Sequence, residues 1–268
     1  MVSRSMKATA LAILLIVTTA AGLAVAYPTA AAVACPSCLG FKKASGQVYV
    51  EDGMTPQRQA AALETIAMAR ERLRQFYGAT ESNPEIFVCG DDNCYRKIGG
   101  GKSRGMAVLN LALFLSPEGA TVTIASHEMS HIELHIRIGL IKTFRRDVPQ
   151  WFDEGVAVLV SDDDRYLKPI SSPDRCLREP DGALPTTRSA WIESAASASL
   201  YAKAACRVSR WIADHGGSHA VTRLLEKIVA GESFEMGIDR LLRPCWKVTA
   251  GISSRPPPPA DSVLRSRP

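Results

Sequence analysis

Thr121-Val-Thr-Ile-Ala-Ser-His-Glu-Met-Ser-His131 decides how this chain is read, because it sets His127-Glu128-Met129-Ser130-His131 inside an apolar helical pattern. Residues four apart share a helix face, so the rings of His127 and His131 can hold one ion between them. Glu128 follows the first histidine by one position, which points it beside such an ion rather than onto it. There it could take a proton from a water that the ion activates. The spacing predicts a helix from about Ala120 to Ile138, ending at Gly139. His135 continues the four-residue series but stands about 12 Å along the axis from His127, too far for the same ion. It reads as a packed or exposed histidine.

A water-activating zinc site needs three protein ligands and one open position. Val148-Pro-Gln-Trp-Phe-Asp-Glu-Gly-Val-Ala157 is a second apolar segment, with Pro149 near its first helical position and Glu154 inside it, 22 residues intervening after His131. His-Glu-x-x-His followed by Trp-Phe-x-Glu-Gly-x-Ala resembles the gluzincin group of zinc metallopeptidases, and within it the peptidase-MA-like branch. The resemblance implies one zinc ion held by His127, His131 and Glu154, with Glu128 as general base and peptide-bond hydrolysis as the reaction. It also implies an α+β fold with a thermolysin-like core: a small N-terminal β-sheet, the active-site helix, and a mainly helical C-terminal half. The rival metzincin arrangement wants a histidine at position 137, which is Arg137. The gap between the two motifs is longer than in the large aminopeptidases that share them, which weakens any transfer of their specificity. No Gly-x-Met-Glu-Asn-like motif lies near Met106, which leans towards an endopeptidase.

The resemblance further places a Tyr from the C-terminal helices near the substrate carbonyl, where its hydroxyl would stabilise an oxyanion. Tyr201 opens a helix in that region, and Tyr166 is a rival; a Tyr packed in the helical core is the plain alternative. Asp153 is either a partner for a ligand histidine or a solvated charge. Two other functions stay open. One is an envelope-tethered binding protein with a structural or degenerate zinc site; the other is a zinc hydrolase of non-peptide amides or esters.

The formal net charge of +5, less Arg4 and Lys7 near the N-terminus, leaves +3. The segment beyond Gly251 adds Arg255, Arg265 and Arg267 against Asp261, so the middle of the chain is close to neutral. No basic stripe interleaved with aromatics marks a nucleic-acid partner. A short basic start precedes the uncharged apolar run Ala8–Ala26, which ends in Ala24-Val25-Ala26, a small-x-small cleavage pattern. A second such pattern, Ala32-Val33-Ala34, directly precedes Cys35. Residues 1–34 therefore read as a cleaved or lipidated leader, with lipid on Cys35, or as a membrane anchor kept in place. The expected location is exported: periplasmic, cell-envelope or secreted. Expected partners are a peptide or protein substrate and the membrane through the N-terminal segment.

Seven cysteines in an exported chain read as disulfides. Cys89 with Cys94 and Cys176 with Cys206 are expected pairs. Cys35-x-x-Cys38 reads most simply as a third, although lipid on Cys35 would leave six to pair completely.

Residues 35–46 read as a spacer, 47–250 as the metallopeptidase-like domain, and 251–268, with Pro256–Pro259, as a disordered tail. Gln47–Glu51 and Glu85–Cys89 are expected strands. Thr55-Pro56 opens a helix to about Tyr77, with Ala62, Ile66, Ala69, Leu73 and Phe76 facing the core. Gly99-Gly-Gly-Lys-Ser103 lacks the first Gly of a phosphate loop, since position 96 is Arg, so nucleotide binding is rejected. Met106–Leu115 is strand-like and, by the resemblance, would pair through its backbone with an extended substrate. Asp162-Asp-Asp164 lacks the Gly and distal Glu of a calcium loop and reads as a solvated turn. Residues 169–185 are a long loop anchored by Cys176, followed by helices at about 194–215 and 219–230.

Overall fold

The computed structural model describes residues 27–108, 110–194 and 199–240, together with Gly22. The expected tail and, apart from Gly22, the apolar run Ala8–Ala26 lie outside these residues. No helix among the described residues is long and apolar enough to cross a membrane.

The fold is α+β. Strands β1 (Phe41–Ser45), β2 (Val48–Glu51), β3 (Glu85–Val88), β4 (Gly105–Val108) and β5 (Ala112–Leu115) form one mixed sheet in the order β1-β2-β3-β5-β4. β2, β3 and β5 run parallel, while β1 and β4 add antiparallel at the two edges. Side chains alternate across the sheet, so each face receives every second residue. Val48, Val50, Ile86, Val88, Leu113 and Leu115 join the main core on one face. On the other face Phe87 stacks on Tyr49 at 5.0 Å and on Phe114 at 4.6 Å between ring centroids.

That second face is covered by α1 (Pro28–Ala34) and α3 (Asp92–Lys97), whose Ala32, Cys94 and Tyr95 pack around Phe41 and Phe87. Within the stretch expected as leader and spacer, Pro28–Ala34 is thus a helix packed on the sheet and Phe41–Ser45 a strand of it. The Ala-rich run reads as leader because it is small and apolar, yet those properties also suit a closely packed helix. Cys35 is bonded to Cys38 across a short 3-10 turn at Pro36–Leu39. Cys89–Cys94 and Cys176–Cys206 are the other two bonds, and Cys245 lies outside the described residues. The three disulfides are consistent with an exported protein.

The main core is built by α2 (Pro56–Tyr77) and α4 (Val122–Ile138) against the first face of the sheet. The Thr55 hydroxyl accepts from the Arg58 N–H at 3.4 Å and caps α2, with Pro56 in its first turn. Ala62, Ile66, Ala69 and Leu73 are buried as the spacing predicts, but Tyr77 rather than Phe76 ends the buried stripe. The Tyr77 hydroxyl lies 3.0 Å from Ser130 Oγ, which ties α2 to α4. The core continues into α6 (Gln150–Ser161), α8 (Ser199–Asp214) and α9 (His219–Val229). Three shorter helices, α5 (Leu140–Arg145), α7 (Arg188–Ser194) and α10 (Phe234–Arg240), complete this half.

Three expectations change in detail. Met106–Leu115 is not one strand but the β4–β5 hairpin, because the Leu111 N–H donates to the Val108 carbonyl at 2.9 Å and Asn110 takes a φ of 60°. β4 is thus the sheet edge nearest α4. The helix expected over 194–215 is described as α7 and α8, with residues 195–198 outside the description. The Asp162–Asp164 turn is only partly solvated: Asp163 is buried and pairs with Arg165 at 2.5 Å.

Candidate metal centre

Two capped helices carry the centre. The Thr121 hydroxyl accepts from the Ile124 N–H at 3.3 Å and starts α4; Gly139, at a φ of 80°, ends it. One face of α4 packs into the core through Ala125, Met129, Ile132 and Leu134, which leaves His127 and His131 pointing together at α6. Their rings meet edge to face with centroids 4.8 Å apart. α6 starts after Pro149, where the loop carbonyls of Thr186 and Pro185 accept from the N–H groups of Gln150 (2.9 Å) and Trp151 (3.2 Å). Trp151 and Phe152 pack on Phe234 and hold this first turn in place.

Packing of α4 on α6 brings three donor atoms together. His127 Nε2 and His131 Nε2 are 3.2 Å apart, and Glu154 Oε2 lies 3.4 Å from the first and 3.6 Å from the second. Donors bound at about 2.0–2.1 Å around a tetrahedral ion stand about 3.3–3.4 Å from one another. The triad has the dimensions of a binding site for a small metal ion, and its residues form such a group. Glu154 Oε1 accepts from Gln150 Nε2 at 3.0 Å, whereas Oε2 is buried with no hydrogen-bond partner.

Glu133, on α4, shows what a structural buried carboxylate looks like here. It accepts from the N–H groups of Glu81 and Ser82, each at 2.9 Å, and from Arg137 Nε at 2.7 Å. A buried oxygen left without a donor is costly. Glu154 Oε2 keeps that cost and faces two imidazole nitrogens, an arrangement a cation relieves.

Asp153 settles as a buried partner and not as a solvated charge. Its Oδ1 lies 2.7 Å from His131 Nδ1 and its Oδ2 lies 3.0 Å from His135 Nε2. Holding Nδ1 leaves His131 Nε2 free to face the triad. Burial alone would lower the pKa of His131, but the carboxylates of Asp153 and then Glu154 outweigh it and raise it to about 10. Burial likewise opposes the charges on Asp153 and Glu154, yet the neighbouring histidines hold both carboxyl groups below their ordinary range.

Glu128 is half-buried beside the triad and makes no hydrogen bond or ion pair among the described residues. It lies against Gly105 of β4, where a Cβ would stand 2.7 Å from Glu128 Cγ. Tyr201, on α8, comes to 6.4 Å from the His127 ring and is stacked on Tyr166 at 5.1 Å. Burial, followed by the charge of Glu154, pushes its hydroxyl up to about 12, so it stays protonated and can donate. Of the two tyrosine candidates, Tyr201 is the one beside His127, while Tyr166 packs on the Tyr201 ring.

Three contributors were given no role at the centre by the sequence. Gln150 is signalled only by its place four residues before Glu154. His135 is signalled by the four-residue histidine series, but its partner Asp153 is a tertiary contact. Nothing local marks Gly105. Comparison with family models, with curated proteins and with solved structures finds no match for this chain.

Proposed function

We propose that this protein is an exported zinc-dependent peptidase of gluzincin type with a thermolysin-like core. The observation that carries the reading is the triad of His127, His131 and Glu154 at tetrahedral donor spacing, with an orphaned carboxylate oxygen. Two imidazoles and one carboxylate suit zinc, whereas magnesium and calcium prefer all-oxygen shells. Among the described residues the group has three such donors, which leaves the open position that a catalytic site requires and a structural site fills with a fourth ligand.

Zinc, when bound, supplies Lewis acidity that makes a water more acidic and polarises a carbonyl. Glu128 supplies the proton acceptor. Its carboxylate, without a hydrogen bond or ion pair among the described residues, would take the proton from the attacking water and return it to the leaving amine. Tyr201 donates a hydrogen bond to the developing oxyanion. β4 offers a sheet edge alongside α4 that is unpaired among the described residues, to which an extended peptide would add as a further strand through its backbone.

The test is zinc content by elemental analysis of the full chain purified without chelators, alongside hydrolysis of a peptide library. One zinc per chain is expected, lost in Glu154→Ala. Glu128→Gln is expected to keep zinc and lose hydrolysis. No zinc in the unaltered protein would sink the reading, and so would full turnover by Glu128→Gln.

A further inference from the structure

The six-residue helix α5 joins the two helices that carry the metal donors. Its stretch Leu140-Ile-Lys-Thr-Phe-Arg-Arg146 mixes apolar and cationic side chains. Leu140, Ile141 and Phe144 are 55, 74 and 68% exposed, and Ile136, at the end of α4, is 37% exposed. Four of the twelve exposed large hydrophobic residues among those described thus fall within nine positions. Singly exposed apolar side chains are ordinary, whereas a cluster marks a contact surface. None of the four packs against a hydrophobic cluster of the described protein.

The helix is nonetheless fastened. Thr143 Oγ1 donates to the carbonyls of His135 at 3.3 Å and Gly139 at 3.0 Å, and the Asp147 N–H donates to the Lys142 carbonyl at 3.1 Å. Its polar side is bonded to the end of α4 while its apolar side chains face outward. Lys142 and Arg145 share a single carboxylate, Asp147, at 3.5 and 3.6 Å. Arg146 has no ion pair among the described residues, so three cations against Asp147 leave the corner at a net charge of +2.

We propose that this corner is a membrane-contact site, in which Leu140, Ile141 and Phe144 enter an anionic lipid surface and Lys142, Arg145 and Arg146 lie at headgroup level. Charge and size favour lipid over protein. Cations that flank the apolar tips complement anionic headgroups. A few exposed side chains on two turns of helix fall well short of the roughly 800 Å² per partner of a stable protein interface. Interfacial binding needs only modest apolar area plus charge, and durable attachment takes two such signals. The chain supplies a second one in sequence: the apolar run Ala8–Ala26 behind Arg4 and Lys7. This proposal does not rest on the peptidase reading.

The experiment is hydrogen–deuterium exchange of the full chain with vesicles of phosphatidylcholine, alone or with about one-third phosphatidylglycerol. The amides of residues 139–147 are expected to slow only with the anionic vesicles, by about fivefold for each cation engaged. Ile141→Asp with Phe144→Asp is expected to abolish that protection without changing bound metal, since both side chains are exposed. Replacing Lys142, Arg145 and Arg146 by Gln, which removes charge but no apolar area, should weaken it at least tenfold. Unchanged exchange at 139–147 with anionic vesicles overturns the proposal, whether or not residues 8–26 bind them. Equal protection on neutral vesicles overturns the anionic assignment. Protection that grows with protein concentration in the absence of lipid assigns the corner to a second copy of the chain and also overturns it.

Discussion

Gly155→Ala tests whether the close approach of α6 and α8 sets the position of Glu154. A Cβ at Gly155 would stand 2.6 Å from Val208 Cγ2, 2.7 Å from the Ala204 carbonyl oxygen and 2.9 Å from its carbon. Ordinary contact begins at 3.4 Å, so the helices must part by several tenths of an ångström. The valine methyl can rotate away, but the Ala204 carbonyl belongs to the backbone of α8 and cannot. Overpacking of this kind costs about 1–3 kcal/mol, and a backbone clash puts it near the upper end. Alanine regains about 1 kcal/mol of helix propensity over glycine, which does not offset it. A net loss of about 1–2 kcal/mol lowers Tm by about 2–8 °C for a domain of this size. Glu154 precedes the altered residue, so zinc should also raise Tm less in the variant than in the parent. Thermal unfolding by circular dichroism, with and without zinc, reads both effects. In a double-mutant cycle, Val208→Ala should relieve part of the loss but not all, because the carbonyl remains. A variant as stable as the parent, with an undiminished zinc response, would refute the argument that this glycine is required by helix contact.

The other predictions concern the charges and the base. Asp153→Asn should weaken metal binding by about 10–100-fold, because His131 loses the carboxylate that orients it; chelator competition measures this, and unchanged affinity would remove Asp153 from the centre. His131 is raised to about 10 without a metal, so its pairing stabilises the metal-free fold below its ordinary value of about 6.5 and is lost as pH rises through about 10. Metal must displace that proton, so affinity should rise about tenfold per pH unit between about pH 7 and 9. A flat profile would contradict the protonated His131. Asp153 and Glu154, with depressed values, contribute stability above the ordinary carboxylate range of about 4 that is lost as acid titrates them. Metal-free protein should therefore lose Tm in acid, and more than Asp153→Asn does. Gly105→Ala should push Glu128 aside and cut the proposed hydrolysis at least tenfold while metal stays bound, as paired activity and elemental assays would show.

Local chemistry made much of this protein legible in sequence. Thr55 and Gly139 bound their helices because such end signals act through neighbouring backbone groups. His127 and His131 share a face because helical periodicity alone places them there. Cys89 and Cys94 close a five-residue separation, which the intervening turn makes easy. Where two local readings fit one composition, sequence gave no decision: an Ala-rich run suits a leader as well as α1, and an apolar decapeptide suits one strand as well as the β4–β5 hairpin. The distances among His127, His131 and Glu154, the hold of Asp153 on two histidines, and the place of Gly105 under Glu128 are non-local. Each depends on how α4, α6 and the sheet edge pack after loops of unspecified path. Periodicity determines which face of an element a residue occupies; only tertiary packing decides which other face it meets, because that is set by the summed fit of many distant side chains.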